Sequence, residues 1–254
     1  MALTYQDVVR ANGGVISWAL VEAAGTDFAP WLDTTHLIGA GGHTYQQAGP
    51  FPTAFSLGFA IGASLQWPIG NLLFPPVTTE VWIKLSALAP VPYQLMIRAG
   101  ATAVSGSGIY LDTLNHLHWT GFGAADIDTG FVWPDTNWHL LQWASGPGNA
   151  LVLYFDGGTI FTGQSGTPSP AAPNTMGFLC DGSADNAHVA GFVSYPTLYL
   201  RMLSATEAFA TFLAATDPTS AMAYTGTGGG QLGTVNAAVL EQILAAVRKT
   251  WPTT

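Results

Sequence analysis

The residue types able to do chemistry fall into four short runs. "HLHW" places His116 and His118 on one face of a strand, because side chains alternate with period two. "ADIDTG" does the same for Asp126 and Asp128. "NWHLLQWASGPGNALVLYFDGG" carries His139 next to Trp138, and Asp156 further on. "CDGSADNAH" supplies Asp181, Asp185 and Asn186 from one loop.

Each run is tested against what a reaction needs. Retaining glycoside hydrolysis requires two carboxylates about 5–5.5 Å apart. Asp126 and Asp128 share a face, but no third acid and no glutamate accompany them. His139 has no serine or cysteine in a nucleophile-elbow context to activate, so it reads as a structural histidine. Asp156, at an Asp-Gly turn, reads as an acceptor of backbone hydrogen bonds. Two histidines do not complete a zinc site, so His116 and His118 read as structural or partner-facing. Oxygen ligands of the kind Asp181, Asp185 and Asn186 offer suit calcium, although their spacing fits no EF-hand and a polar turn would use the same residues. Calcium is the one cofactor open; no other is implied. A carbohydrate site needs aromatic platforms, and the loop-flanked Trp119 and Trp133 are the candidates among nine tryptophans.

Composition limits the partners. Only 8% of the 254 residues are charged, against about 25% in a typical soluble protein. The net charge is −9, with no basic cluster, which excludes nucleic-acid binding by counterion release. The only lysines are Lys84 and Lys249, and lysine is depleted in protein interfaces. Either a neutral free surface or a subunit inside an assembly fits, with assembly slightly favoured. Cys180 is the sole cysteine and reads as a buried small hydrophobe. Residues 34–79 carry no Asp, Glu, Lys or Arg. Polar residues, Gly and Pro interrupt every apolar run before about 18 residues, so no membrane span is expected. The N-terminus shows no signal-peptide pattern.

The elements that must position these residues are mostly strands. "LTYQDVVRAN" reads as a short helix capped by Thr4 with Asp7 three residues on. "GGVISWALVEAAGT" alternates as one strand, with Ile16, Trp18 and Leu20 on one side. In "TTEVWIKLSAL", Val81, Ile83 and Leu85 oppose Glu80, Trp82 and Lys84. Short strands follow in "YQLMIRAG", "GIYLDTL", "HLHWTGF" and "TGFVWP". Residues 138–161 form a three-strand meander: Trp138, Leu140 and Gln142 share one face, and "DGG" closes a hairpin. "SATEAFATFLAATD" is a helix opened by the Ser204/Glu207 capping box, with a stripe of Phe209, Phe212 and Leu213. Many short strands with Gly, Pro and Asp punctuation predict an all-β antiparallel sandwich over residues 1–220. A Gly-rich linker follows at 221–234, and a C-terminal amphipathic helix at 235–254. Ala237, Leu240, Leu244, Val247 and Trp251 line one face of that helix. A helix of this length is marginal alone, so it is expected to dock or oligomerise.

"TNWHLLQWASGPGNALVLYFDGGTIFTG" and "LYLRMLSATEAFATFLAA" resemble the Trp-His strand, the "LYVDG"-type strand and the closing strand and helix of concanavalin A-like, laminin-G-like jelly rolls. "YQDVVRANGGVISWALVEAAGT" with "HTYQQAGPFPTAFSLG" is similar to the opening strands of such domains in bacteriophage tail and other virion proteins. The resemblance spans roughly residues 4–216 and implies two stacked, curved antiparallel sheets. It also implies binding or structural duty rather than catalysis. Laminarinase-type relatives take their acids from one strand in an E-x-D-x-x-E or E-x-D-x-E pattern, which this chain lacks.

The expectation is a non-enzymatic virion component, a minor tail or capsid-decorating protein assembled in the host cytoplasm. Its partners would be other virion proteins, further copies of itself and host-surface glycans. A free carbohydrate-binding module is the alternative; a glycoside hydrolase would need a carboxylate pair not found.

Overall fold

The computed structural model describes residues 4–25, 27–32, 37–40, 42–52, 54–59, 64–70, 76–88, 94–102, 105–121, 125–165, 174–178 and 190–217. Two eight-stranded antiparallel sheets stack face to face. The first runs in the order β14 (Gly158–Gln164), β13 (Ala150–Phe155), β12 (Trp138–Ser145), β7 (Val77–Leu85), β16 (Gly191–Tyr199), β5 (Phe55–Phe59) and β4 (His43–Ala48). β1 (Gly14–Ser17) also pairs with β16. The second runs β11 (Ala125–Val132), β10 (His116–Gly121), β9 (Ser105–Leu111), β8 (Gln94–Thr102), β15 (Asn174–Phe178), β6 (Ser64–Gly70), β3 (Leu37–Ala40) and β2 (Asp27–Phe28). The expected all-β jelly-roll sandwich is what forms.

Alternation places the main core between the sheets. Val81, Ile83 and Leu85 of β7 meet Leu141 and Trp143 of β12, Leu117 and Trp119 of β10 and Ile109 of β9. A second core lies on the outer face of the first sheet. There α1 (Tyr5–Ala11) and α2 (Ala205–Thr216) cover Trp82, Leu140 and Tyr199 with Tyr5, Val9 and Ala215. The central strands of the first sheet are therefore buried on both sides over most of their length, as the nearly unbroken burial of β7, β12 and β16 shows. The second leaves one face open on β10, which alternates between buried and half-buried positions. A one-sided sheet reads as period two, and a two-sided sheet does not.

Both capping boxes form, at Thr4/Asp7 and Ser204/Glu207. Arg201 clamps the two helices: it donates to Asn12 O and pairs with Glu207 at 2.6 Å. The meander is as expected. Asp156 and Gly157 have φ of 49° and 76°, and positive φ at both central residues is what a type I′ hairpin turn requires.

Two expectations need correction. The long first strand stops at Ser17, where Trp18 N donates to Pro196 O and Leu20 takes φ of 53°. The bulge around Tyr195 and Pro196 in β16 ends the pairing there, though Ile16, Trp18 and Leu20 still enter the core. On α2 the buried face is Ala208, Ala210, Thr211, Ala214 and Ala215, with Phe209 and Leu213 only half-buried. Small residues let the helix lie close to α1 and the sheet. No described helix is long and apolar enough to cross a membrane.

Candidate functional site on the open face of the second sheet

Antiparallel pairing gathers the sequence-flagged acids and histidines. His118 lies opposite Tyr110 on β9 and Asp128 on β11, and Thr120 lies opposite Asp126. Leu117 and Trp119 point into the core, so His116, His118 and Thr120 point out. Tyr110 stacks on His118 with centroids 4.8 Å apart and donates from its hydroxyl to Asp126 Oδ2 at 2.8 Å. His118 sits between two carboxylates, Nε2 3.5 Å from Asp112 Oδ2 and Nδ1 3.4 Å from Asp126 Oδ1. Those distances are too long for good hydrogen bonds, and neither nitrogen has a partner. His116 Nδ1 lies 3.2 Å from Asp128 Oδ2.

The turn that carries Asp112 is built by it. Its Oδ1 accepts from Leu114 N and His116 N, both at 2.8 Å. Burial pushes the Asp112 carboxyl up, but those two N–H groups outweigh it and hold it below the usual carboxylate range. Gly130 N and His116 do the same for Asp128. Asp126 and Asp128 are about half exposed, at 54% and 49% of their side-chain surface, so their free lone pairs face solvent.

The donors do not converge on one point, since Asp112 and Asp126 flank opposite edges of the His118 ring. Among the described residues no group of three or more His, Cys, Asp or Glu is disposed to hold a metal ion. Asp181, Asp185 and Asn186 lie outside the described residues. So do Ala237, Leu240, Leu244, Val247 and Trp251, with the linker and helix they belong to.

Trp119 and Trp133 are not platforms. Each is 1% exposed and belongs to the main core. Trp119 occupies an inward position of β10. Trp133 is packed edge-on against Phe155 and His139 and donates to Asp135 O at 2.9 Å. Proximity to loops did not decide their exposure; strand phase and the opposing sheet did.

His139 is held between two acids, Nδ1 2.8 Å from Asp156 Oδ2 and Nε2 2.9 Å from Asp135 Oδ1. Burial opposes its protonation, yet the hydrogen bonds and charges of Asp156 and Asp135 prevail and raise its pKa. Asp156 also accepts from Leu140 N at 2.9 Å, as its turn position suggested.

A third group was missed altogether. Glu80 is fully buried beneath α1, where Tyr5, Tyr199 and Gln142 all donate to its carboxylate. Burial pushes its carboxyl up to about 7 against those hydrogen bonds. The only signal was an acid inside a strand, between Thr79 and Val81 and on the same face as Trp82. Tyr110 and Asp112 were also missed, although pairing the adjacent strands in "GIYLDTLNHLHW" would have placed Tyr110 beside His118.

No family model matches the sequence. No curated protein matches it either. Solved structures do. Trypanosoma rangeli sialidase in complex with sialic acid superposes with a TM-score of 0.63 at 14% identity, over 82% of this chain and 33% of that one. Domain 4 of AbnA, a GH43 extracellular arabinanase from Geobacillus stearothermophilus in complex with arabinotriose, gives 0.62 at 12%, over 78% and 98%. The binding domain of Botulinum neurotoxin DC in complex with rat synaptotagmin II gives 0.60 at 12%, over 81% and 52%. The chain shares the β-sandwich fold with these structures. The chain spans about a third of the sialidase and nearly all of the arabinanase domain.

Proposed function

We propose that this chain is a non-enzymatic, carbohydrate-binding β-sandwich of a bacteriophage virion, and that it meets host-surface glycans through the open face of β9, β10 and β11. The observation that carries this reading is the outward cluster of Asp112, Asp126, Asp128, His116 and His118 on a sheet face that neither described helix covers. Carboxylates fixed by backbone N–H groups keep free lone pairs in a set geometry, and charge-assisted hydrogen bonds to sugar hydroxyls are the strong kind. Two of the similar structures hold a sugar, sialic acid and arabinotriose, which supports glycans as the ligand class. The low charge, the "YQDVVRANGGVISWALVEAAGT" resemblance and the C-terminal helix expected at 235–254 support a place among other virion proteins.

Hydrolysis is not part of this reading. His139 is engaged at both ring nitrogens, and Asp126 and Asp128 face histidines. The test is binding of the labelled full chain to an array of bacterial surface polysaccharides, with and without EDTA, beside D126A/D128A. A loss of at least about tenfold in the double variant, with unchanged thermal unfolding, supports the site. Equal binding by the variant, or no binding by either protein, overturns it. Loss of binding in EDTA alone would bring calcium, and the loop of Asp181, Asp185 and Asn186, into the mechanism.

A further inference from the structure

We infer that the opposite sheet carries a second ligand site, an aromatic shelf around Lys84 that fits a pyranose bearing a carboxylate. The inference extends glycan binding to a separate face and does not need the β9–β11 cluster to be correct.

The register defines the shelf. Trp138 of β12, Lys84 of β7, Phe192 of β16, Gly58 of β5 and Thr44 of β4 stand in one row across five neighbouring strands. All lie on the outer face. Leu85, Val193 and Leu57, which alternate with members of the row, belong to the core between the sheets. Among the described residues, the cover by α1 and α2 includes Trp82, on which Phe212 of α2 stacks at 6.0 Å. Two residues further along β7, Trp138, Lys84 and Phe192 are half-buried, with Trp138 packed against the edge of that helix-covered core.

Trp138 and Phe192 flank β7 from either side, two strands apart, which is about 9.5 Å of backbone. Their ring centroids are nevertheless only 6.4 Å apart. The rings lean toward each other over Lys84, whose Nζ lies 5.9 Å from the Phe192 centroid. Beside them Gly58 leaves room. A Cβ there would stand 2.1 Å from Thr44 Oγ1 and 3.0 Å from Phe192 Cε1. Glycine thus lets Phe192 and the exposed Thr44 hydroxyl close up beside the shelf.

Charge selects the occupant. Among the described residues Arg10 faces Asp7 and Arg201 faces Glu207, whereas Lys84 has no carboxylate within ion-pair distance. An ammonium group resting on an aromatic ring gains from the ring quadrupole and still lacks a counter-anion. The two rings are inclined at 56°, so the apolar face of a pyranose lies on one ring with its edge against the other, its carboxylate reaches Nζ, and Thr44 offers a hydroxyl. Uronic acids and sialic acids share this chemistry.

The test is a titration of the isotope-labelled full chain, followed by NMR, with trigalacturonic acid and separately with the α-methyl glycoside of N-acetylneuraminic acid. The methyl ester of trigalacturonic acid is the neutral control. Shifts are expected at the Trp138 indole N–H and the Phe192 ring, weakening in 0.5 M salt, with the ester at least about fivefold weaker. K84M and W138A should each weaken binding about tenfold or more, and K84R should retain most of it. Binding of one acid alone names the sugar class. Shifts confined to Tyr110 and His118 would overturn the shelf and leave the open face standing as a glycan site. Binding unchanged in K84M and W138A, or no shift with either acid at millimolar concentration, also overturns it.

Discussion

His139 Nδ1 lies 2.8 Å from Asp156 Oδ2, and this contact ties a strand of the meander to the turn that closes it. The other carboxylate oxygen of Asp156 accepts from Leu140 N. One side chain therefore satisfies a backbone donor and stabilises an imidazolium, while its own backbone holds the left-handed φ of the turn. Asparagine tolerates that φ and keeps an acceptor for Leu140, so D156N removes the charge and turns the oxygen that faces His139 Nδ1 into an amide donor. It is expected to destabilise the fold by about 1–3 kcal/mol in urea unfolding. It should also lower the His139 pKa, read from its ring protons by NMR. A pKa that does not fall would mean that Asp135 alone carries the pair.

Stability should fall as pH rises from about 4.5 through neutrality. The Glu80 carboxyl is raised to about 7 by burial, so the folded state binds that proton more tightly than the unfolded chain. Its contribution is greatest below the unfolded value and declines until pH passes 7, a change on the order of 3 kcal/mol. His139, also raised, adds stability that is full below about 6.5 and is lost as pH climbs through its folded pKa. Asp7, Asp112, Asp128 and Asp135 are lowered, and their contributions disappear only as pH drops below about 4. The optimum is thus mildly acidic. E80Q should flatten the decline between pH 5 and 8 in thermal melts, because the amide it introduces finds an acceptor in the unpaired Gln142 Oε1. A decline as steep as in the parent would place the titration elsewhere.

W119A should act as a core truncation. The side chain is 1% exposed, and truncating a buried aromatic costs about 3–5 kcal/mol. Guanidinium unfolding measures the loss. Wild-type stability combined with abolished glycan binding would restore Trp119 as a platform.

Gly157 is constrained twice. Its φ is 76°, and a Cβ would lie 2.8 Å from Phe209 Cα and 3.1 Å from Phe212 Cβ on α2. G157A combines left-handed strain of about 1–2 kcal/mol with overpacking against helix backbone of about 1–3 kcal/mol. The expected result is a lowered unfolding midpoint and faster amide exchange in α2. Exchange unchanged in α2 would mean that the turn does not support the helix.

For the C-terminal segment, light scattering of the full chain against a version ending at residue 221 reads the proposed role directly. The full chain should be an oligomer, and the shortened one a monomer. L240D and L244D should behave like the truncation while the sandwich keeps its melting temperature. A monomer in every case removes self-association from the proposal.

Local chemistry made part of this molecule legible from sequence. The two capping boxes need only four consecutive residues each, and the Asp156-Gly157 hairpin needs two with positive φ. Period-two alternation sorted Val81, Ile83 and Leu141 from Trp82 and Leu140 onto opposite faces, and the sheet kept that sorting. Sequence also flagged the members of the open face, His116, His118, Asp126 and Asp128, because strand phase puts each pair on one side.

Alternation cannot say which side of a sheet meets water; only the packing of distant elements decides that. Trp119 is buried because the other sheet lies over its face of β10, and Glu80 because α1, some seventy residues earlier, lies over β7. The ring of donors around Glu80 comes from residues 75, 62 and 119 positions away. No local propensity encodes such a meeting. The same holds for the shelf around Lys84, whose row crosses five strands and exists only once β16 has paired between β7 and β5.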